Sequence, residues 1–145
     1  MLVKLTPEQV SSYWDFIRKA IEIVAGEQER LTNESYSNIL EALLSETMQA
    51  WVEVQENKTK GIVITYITDD SLTSHKVMTI FIIYGLEGVD LSTFKPGLLT
   101  LFKFATQCGC SYVTANTNND RLVELCSRLH AKVDSVNITW ELKNG

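Results

Sequence analysis

The sequence predicts a single α/β domain, spanning residues 1–145, in which a mixed central β-sheet carries helices on both faces. Two amphipathic helical patterns open the chain, and three strand patterns follow them with no helix between. The C-terminal half then alternates helix and strand, so the expected order of elements is ααβββαβαβ. Strands joined by a turn pair antiparallel and strands joined by a helical crossover pair parallel, so the predicted sheet is mixed.

The first two elements are predicted to be helices, each with one apolar stripe that packs on the sheet. Thr6 and Gln9 form a capping box around Pro7, and Gly26 is the expected end of the first helix. Its apolar residues recur at spacings of three and four: Val10, Trp14, Ile17, Ile21 and Val24. Thr32 caps the second helix, whose stripe consists of Tyr36, Ile39, Leu40, Leu43 and Leu44.

Three strands are predicted in the middle of the chain. Residues 49–54 and the β-branched segment 62–68 form a hairpin across the polar turn at 56–61. Residues 76–84 are apolar enough to form a central strand that is covered on both faces.

The C-terminal half is predicted to contain two crossover helices. A loop over 85–95 is followed by a helix that Pro96 opens and Gly109 ends, and then by a short buried strand over 111–115. A polar turn over 116–119, with a choice of helix caps, leads into a helix over 120–129. A strand pair or one long bent strand over 131–142 closes the chain. The strand–helix–strand alternation predicts parallel pairing at this side of the sheet.

Charge and composition exclude several classes of protein. Thirteen basic and 18 acidic residues give a net charge of −5, and a chain without a basic run is a poor nucleic-acid binder. No segment approaches the roughly 20 apolar residues of a membrane span. The start, MLVKLTPEQV, lacks the pattern of a signal peptide, so the three cysteines are expected to be free thiols in a reducing compartment.

No metal site or local catalytic signature is predicted. His75 and His130 have no partner at ligand spacing, and the pair Cys108 and Cys110 lacks the two further ligands of a zinc site. A Ser-His-Asp or Cys-His arrangement stays open, but no Gly-x-Ser-x-Gly segment supports one.

The segment Gly85-Leu86-Glu87-Gly88 follows a buried strand, at the place where an α/β fold binds phosphate. Two interpretations stay open for it, a structural loop and a phosphate cradle. The structural loop is favoured because Glu87 and Asp90 are acidic and Lys95 is the only nearby cation.

The layout resembles the GNAT superfamily of acyl-CoA-dependent N-acetyltransferases. The similarity is clearest over 98–132, where Ala105 and Gly109 fit the end of one motif helix. The next motif helix is matched by Asn119, Leu122, Leu125 and Arg128. The chain is most similar to small GNAT-like proteins of tailed phages, through segments such as LTPEQVSSYWDFIRKAIE, MQAWVEV, IFIIYGLEG and FATQCGC, which together cover nearly the whole chain.

The resemblance also implies where a GNAT site would lie. Its CoA motif, Gln/Arg-x-x-Gly-x-Gly/Ala, is not reproduced between Gly85 and Leu101, and Cys126 stands where the family often has a tyrosine general acid. Glu53 on the first hairpin strand is the candidate general base, with an exposed structural carboxylate as the alternative. The implied cofactor-binding positions are Gly85, Gly88, Lys95 and Asn119.

Three functional hypotheses follow. The first is a GNAT-fold protein without efficient acetyl-CoA chemistry, acting as a virion-associated structural or protein-interaction component, in the virion or the host cytoplasm, with no cofactor. Its partners would be phage structural proteins, a host protein or a second copy. The candidates for its contact surface, each with core burial as the alternative, are Tyr13, Tyr36, Trp51 and Trp140. The second is an active N-acetyltransferase that binds acetyl-CoA through an atypical loop, and the third is a small inhibitor or modifier of a host enzyme.

Overall fold

A computed structural model of the chain describes residues 1–29, 31–86, 88–117, 119–134 and 138–142. The strands are β1 (Leu2–Lys4), β2 (Met48–Gln55), β3 (Lys58–Asp69), β4 (Lys76–Tyr84) and β5 (Tyr112–Ala115). The helices are α1 (Pro7–Glu29), α2 (Asn33–Leu44), α3 (Leu91–Gln107) and α4 (Asp120–Arg128). None of the described helices is long and apolar enough to cross a membrane.

The five strands form one sheet whose spatial order, β1-β2-β3-β4-β5, equals their order in the chain. The first four strands pair antiparallel with their neighbours, and β5 pairs parallel with β4. The α/β class and the mixed sheet are therefore confirmed. The parallel pair is joined by α3, as expected of a helical crossover.

The sheet separates two apolar cores, because side chains alternate between its faces. One face packs against α1 and α2 through residues that include Ile17, Ile21, Leu43, Ile62, Ile64 and Ile82. The other face packs against α3 through Trp51, Val63, Met78, Ile80, Leu101 and Ala105. Helix α4 lies against the first half of α3, where Leu122 and Leu125 pack with Phe94. The prediction of helices on both faces is confirmed.

The N-terminal elements extend beyond their predicted bounds. Residues Leu2–Lys4 form β1, which the sequence analysis missed, and pair with Trp51–Glu53 of β2. Gly26 does not end α1, which continues to Glu29. Pairing with β2 holds β1 in strand conformation although its own sequence is only weakly biased. An interior glycine costs a helix only about 1 kcal/mol, so Gly26 need not end α1.

Helix α3 begins before its predicted start. Pro96 was expected to open it, but the first helical residue is Leu91 and Pro96 lies inside the helix. Asp90 explains the difference, because its carboxylate accepts a hydrogen bond from the Thr93 amide and so supplies the cap. The predicted loop over 85–95 is correspondingly shorter.

The predicted closing strand over 131–142 is not found in the part of it that the structure describes. Residues 131–134 and 138–142 have no strand conformation, and 135–137 lie outside the described residues. Four apolar side chains of these stretches are exposed: Val133, Ile138, Trp140 and Leu142. An alternating apolar pattern forms a strand only where another strand pairs with it, and no described strand pairs with this segment.

Strands β3 and β4 approach each other closely where two glycines face. A Cβ on Gly61 would lie 2.6 Å from the carbonyl oxygen of Tyr84, and a Cβ on Gly85 would lie 2.5 Å from that of Lys60. Gly85 also has a φ of +80°, which disfavours any other residue. Glycine at these positions is therefore required by the sheet itself.

Replacing Gly85 by alanine is expected to lower the free energy of unfolding by at least about 2 kcal/mol, since the added methyl must displace strand backbone at a positive φ. Gly88 is the matched control, because a Cβ there has no atom within 4 Å. Its replacement by alanine should change stability by less than about 0.5 kcal/mol. Urea denaturation measures both values, and equal stability of the two variants would contradict the close approach.

A buried hydrogen-bond chain links β2 and β3. The Trp51 indole N–H donates to Thr65 Oγ1 at 3.1 Å, and the Thr65 hydroxyl donates to Gln49 Oε1 at 2.8 Å. The Gln49 amide in turn donates to the Glu46 carbonyl oxygen at 3.2 Å. Thr65 is fully buried, so its hydroxyl satisfies two groups that water cannot reach.

Thr65→Val should destabilise the protein by about 1–3 kcal/mol, because the isosteric change leaves the Trp51 N–H and the Gln49 oxygen without their partner. Thr79→Val is the control, since Thr79 bonds only the exposed Thr114 hydroxyl at 3.2 Å. Thermal unfolding followed by circular dichroism compares the two variants. A Thr65→Val protein as stable as the control would show that the chain of hydrogen bonds contributes nothing.

Candidate functional site

Strand β4 contains one extra residue in its pairing with β3. Ile82 lies opposite Ile64, and Ile80 lies opposite Thr65, so Phe81 has no partner and forms a β-bulge. Phe81 and Ile82 consequently both pack with the α1–α2 core, whereas Ile80 and Ile83 pack with the α3 core. A bulge bends its strand locally, and here the bend falls in the second half of β4.

The bulge coincides with the end of the β4–β5 pairing. The parallel register runs from Val77 opposite Tyr112 to Ile80 opposite Ala115, and β5 ends there. Residues 81–84 of β4 therefore have no strand beside them on this side among the described residues. We call the space between residues 81–84 and residues 115–117 the β4–β5 wedge. The backbone of β4 along it offers N–H and C=O groups to an extended ligand.

Helices α3 and α4 both begin at this edge, because each follows the carboxyl end of one parallel strand. Asn119 caps α4, and its side-chain oxygen accepts from the Leu122 amide at 3.1 Å. Asp90 caps α3, and Arg121 lies on the first turn of α4. The positive ends of two helix dipoles thus meet beside the wedge.

The α3 N-terminus already holds an anion of the protein itself. Asp90 Oδ1 accepts from the Ser92 hydroxyl at 2.7 Å and from the Thr93 amide at 3.0 Å. The bonds from Ser92 and Thr93 are the main causes that hold the pKa of the Asp90 carboxyl below its ordinary value. The carboxylate, ionised at neutral pH as an aspartate ordinarily is, therefore occupies the Thr93 amide, one of the N–H groups by which a helix N-terminus attracts anions.

Cys126 lies on α4, on the same edge as the wedge. It is half-buried and packs against the cluster of Phe94, Leu122 and Leu125. Burial raises the pKa of its thiol, so the sulfur keeps its proton at neutral pH. That state suits a proton donor and does not suit a nucleophile.

Glu53 lies on β2, beneath α3. It is buried rather than exposed, its Oε1 accepts from the Met1 ammonium at 2.8 Å, and Gln55 Nε2 donates to the same oxygen at 3.4 Å. The carboxylate lines a mostly apolar cavity of about 30 Å³ beneath α3, a volume that suits water and not a substrate. Strand β2 lies two strands from β4, so their backbones are roughly 10 Å apart. Glu53 nevertheless lines this cavity together with Ile83 of β4.

The four implied cofactor positions do not share one role in the structure. Gly85 is held in the β3–β4 contact, whereas Gly88 is exposed ahead of α3. Lys95 is exposed on the second turn of α3, and Asn119 is engaged in capping α4. Cys126 clusters with Ile83 and Phe94, and Glu53 lines a cavity with the same two residues, so both candidate catalytic side chains lie around the start of α3.

Sequence analysis missed three residues at the wedge. Phe81 was read as an ordinary strand residue, because a bulge depends on the partner strand and not on local sequence. Tyr84 is half-buried at the end of β4, where its ring meets that of Phe16 edge-on at 6.3 Å. Arg121 was not considered, although a cation in the first turn of a helix is unusual enough to have drawn notice.

The remaining cysteines lie away from the wedge. Cys108 and Cys110 are half-buried free thiols on either side of Gly109, and burial and Cys108 raise the pKa of the Cys110 thiol. Within the described residues, no group of three or more histidine, cysteine, aspartate or glutamate side chains could hold a metal ion.

No model of a known protein family matches the chain, and no curated protein matches its sequence. Solved structures do match it over nearly its whole length. An aminoglycoside acetyltransferase from an uncultured soil metagenomic sample, solved with sisomicin, is 16% identical with a TM-score of 0.73, covering 99% of this chain and 96% of its own.

Two further structures agree with this match. Aminoglycoside N-acetyltransferase AAC(6')-Iy in complex with CoA is 11% identical with a TM-score of 0.72, covering 99% of this chain and 94% of its own. Ribosomal-protein-alanine N-acetyltransferase from Brucella melitensis is 14% identical with a TM-score of 0.68, and 98% of each chain is covered. At these identities the likeness establishes the fold alone, and this protein therefore shares the fold of these acetyltransferases.

Proposed function

We propose that this protein is an acyl-CoA-dependent N-acyltransferase whose acyl donor binds in the β4–β5 wedge. The single observation that carries the proposal is the end of β4–β5 pairing at Ile80 and Ala115, next to the bulge at Phe81. A pantetheine arm contains two amides in an extended chain, so it can pair with strand backbone as a peptide does. The fold shared with acetyltransferases, one of them in complex with CoA, supports this choice.

The two ends of an acyl-CoA meet different surroundings. The pantetheine arm fits the wedge, which has an unpaired strand edge and half-buried apolar side chains such as Phe81 and Ile83. The diphosphate does not fit equally well, because the Asp90 carboxylate holds the first turn of α3. Binding would therefore depend on the arm more than on the phosphates.

When bound, the thioester supplies an activated acyl group. The residues of this chain would orient the acyl group and transfer one proton during the reaction. Cys126 is the proposed proton donor, since its half-buried thiol stays protonated and lies on the helix that borders the wedge. Glu53 remains a proposed general base, although reaching the wedge would require a relay, because Met1 and Gln55 engage its carboxylate.

Saturating acetyl-CoA should raise the melting temperature by several degrees, because a ligand at 100 times its dissociation constant contributes about 2.7 kcal/mol. Ala115→Trp should abolish this shift, since the indole would fill the opening of the wedge at the exposed end of β5. Leu72→Trp is the control, because Leu72 is 95% exposed in the turn at the opposite end of β4.

Two outcomes would contradict the donor site. One is a wild-type protein that melts cooperatively at the same temperature with and without acetyl-CoA. The other is an equal shift in the wild type and in Ala115→Trp, which would place the ligand outside the wedge. If binding holds, loss of turnover in Cys126→Ala with unchanged binding would support the proton-donor role.

A second function is favoured by the exposed C-terminal side chains. Ile138, Trp140 and Leu142 are each at least 70% exposed, and apolar groups left in water together mark a surface for another protein. We propose, as the alternative, a protein-interaction component of a tailed-phage particle that uses these side chains to bind a neighbouring capsid or tail protein. The phage origin rests on the sequence resemblance alone.

Under this alternative, mass spectrometry of gradient-purified particles should find the protein at a constant copy number. Trp140→Ser should reduce that copy number severalfold, because it removes the largest exposed apolar side chain of the surface. Leu72→Ser, at an exposed apolar residue elsewhere, should leave incorporation unchanged. Absence of the wild-type protein from the particles would rule out this function.

A further inference from the structure

We propose that Asp90 is a specificity determinant that opposes the diphosphate of acyl-CoA, so that the wedge recognises its donor by the pantetheine arm. This inference rests on the proposed function of the same wedge. It concerns a residue that neither the resemblance nor the comparisons assign to the site. The donor class that follows is an acyl thioester in which the phosphates add no affinity.

The contacts of Asp90 support this role. Its Oδ1 accepts two hydrogen bonds, from the Ser92 hydroxyl at 2.7 Å and from the Thr93 amide at 3.0 Å, while its backbone oxygen accepts from the Phe94 amide at 3.0 Å. The side chain thus fills the place where a helix N-terminus attracts an incoming anion. The hydrogen bonds from Ser92 and Thr93 also hold the pKa of the carboxyl group below its ordinary value, so the negative charge persists to lower pH.

The charged side chains around the wedge also disfavour a bound phosphate. Arg121 is the cation whose field reaches Asp90, and it is itself shared with Glu124, whose Oε2 lies 3.5 Å from the guanidinium. The Glu124 carboxylate therefore competes with any phosphate for this guanidinium. Like charges close together repel even in solvent, and a diphosphate carries two negative charges.

The substitution Asp90→Asn separates the effect of the negative charge from the effect of helix capping. Asparagine caps helices as well as aspartate does, so the variant keeps the fold and the Thr93 bond while it loses the negative charge. Asp70→Asn is the matched control. Asp70 is also exposed and bonds an amide, that of Leu72 at 2.9 Å, but it precedes β4 and lies away from the wedge.

The experiment measures dissociation constants of acetyl-CoA and of phosphate-free acetyl-pantetheine by calorimetry. The wild type should bind the two thioesters within about threefold of each other, because the phosphates gain nothing. Asp90→Asn should bind acetyl-CoA about tenfold more tightly and acetyl-pantetheine unchanged. Asp70→Asn should match the wild type for both. The gain in acetyl-CoA affinity of Asp90→Asn over the wild type should shrink as the salt concentration rises from about 50 to about 500 mM, because salt screens electrostatic repulsion.

Each result decides the inference. A wild type that prefers acetyl-CoA by tenfold or more, or an Asp90→Asn protein with unchanged acetyl-CoA affinity, overturns it and leaves the proposed donor site standing. If neither thioester binds to the wild type or to Asp90→Asn, the donor site itself is absent, and the proposed function falls together with this inference. Restored wild-type affinity in Asp90→Asn with Arg121→Gln would support the freed guanidinium as the source of the gain.

Discussion

The extra residue Phe81 in β4 is the constraint on which the rest of the structure depends. Strand β4 is the only described strand that pairs antiparallel on one side and parallel on the other. The bulge turns Ile82 toward the α1–α2 core and leaves Ile80 in the α3 core, so it keeps both faces of the sheet apolar on either side of the shift. The bulge at Phe81 also lies next to the point where β5 ends. One local feature of β4 therefore shapes both the two cores and the wedge.

Most of the fold could be predicted because its core side chains repeat at helical or strand periods. Helices α1, α2 and α4 and strands β2 to β4 all carry such patterns. Strand β5 was predicted to be buried and is not, because it lies at the edge of the sheet and only Val113 of its side chains is half-buried. Strand β1 is too short for a period to show, and the start of α3 depended on Asp90 rather than on the more conspicuous Pro96. Over 131–142 the sequence predicts a strand that does not form in the described residues, because its alternating pattern has no partner strand among them.

The site was harder to predict than the fold. The turn over 116–119 and the following helix with Cys126 were predicted, because both follow from local pattern, and the structure shows that Asn119 is the residue that caps this helix. The environment of Glu53 could not be read from its strand, since alternation indicates the face of a sheet but not which neighbour meets the carboxylate. The wedge depends on two strands that are far apart in sequence, so no local signal marks it.

The spatial order of the strands has a consequence for how the chain folds. Strands β2, β3 and β4 are joined by turns, so their pairing closes only short loops and costs little chain entropy. Pairing of β1 joins Leu2 to Glu53 across both N-terminal helices, and β5 joins β4 across α3. The meander of the three central strands should therefore form the folding nucleus, with the two outer strands added afterwards. The wedge would then be among the last parts of the protein to form and the first to open. Ligand-binding segments are commonly found in such regions of low local stability.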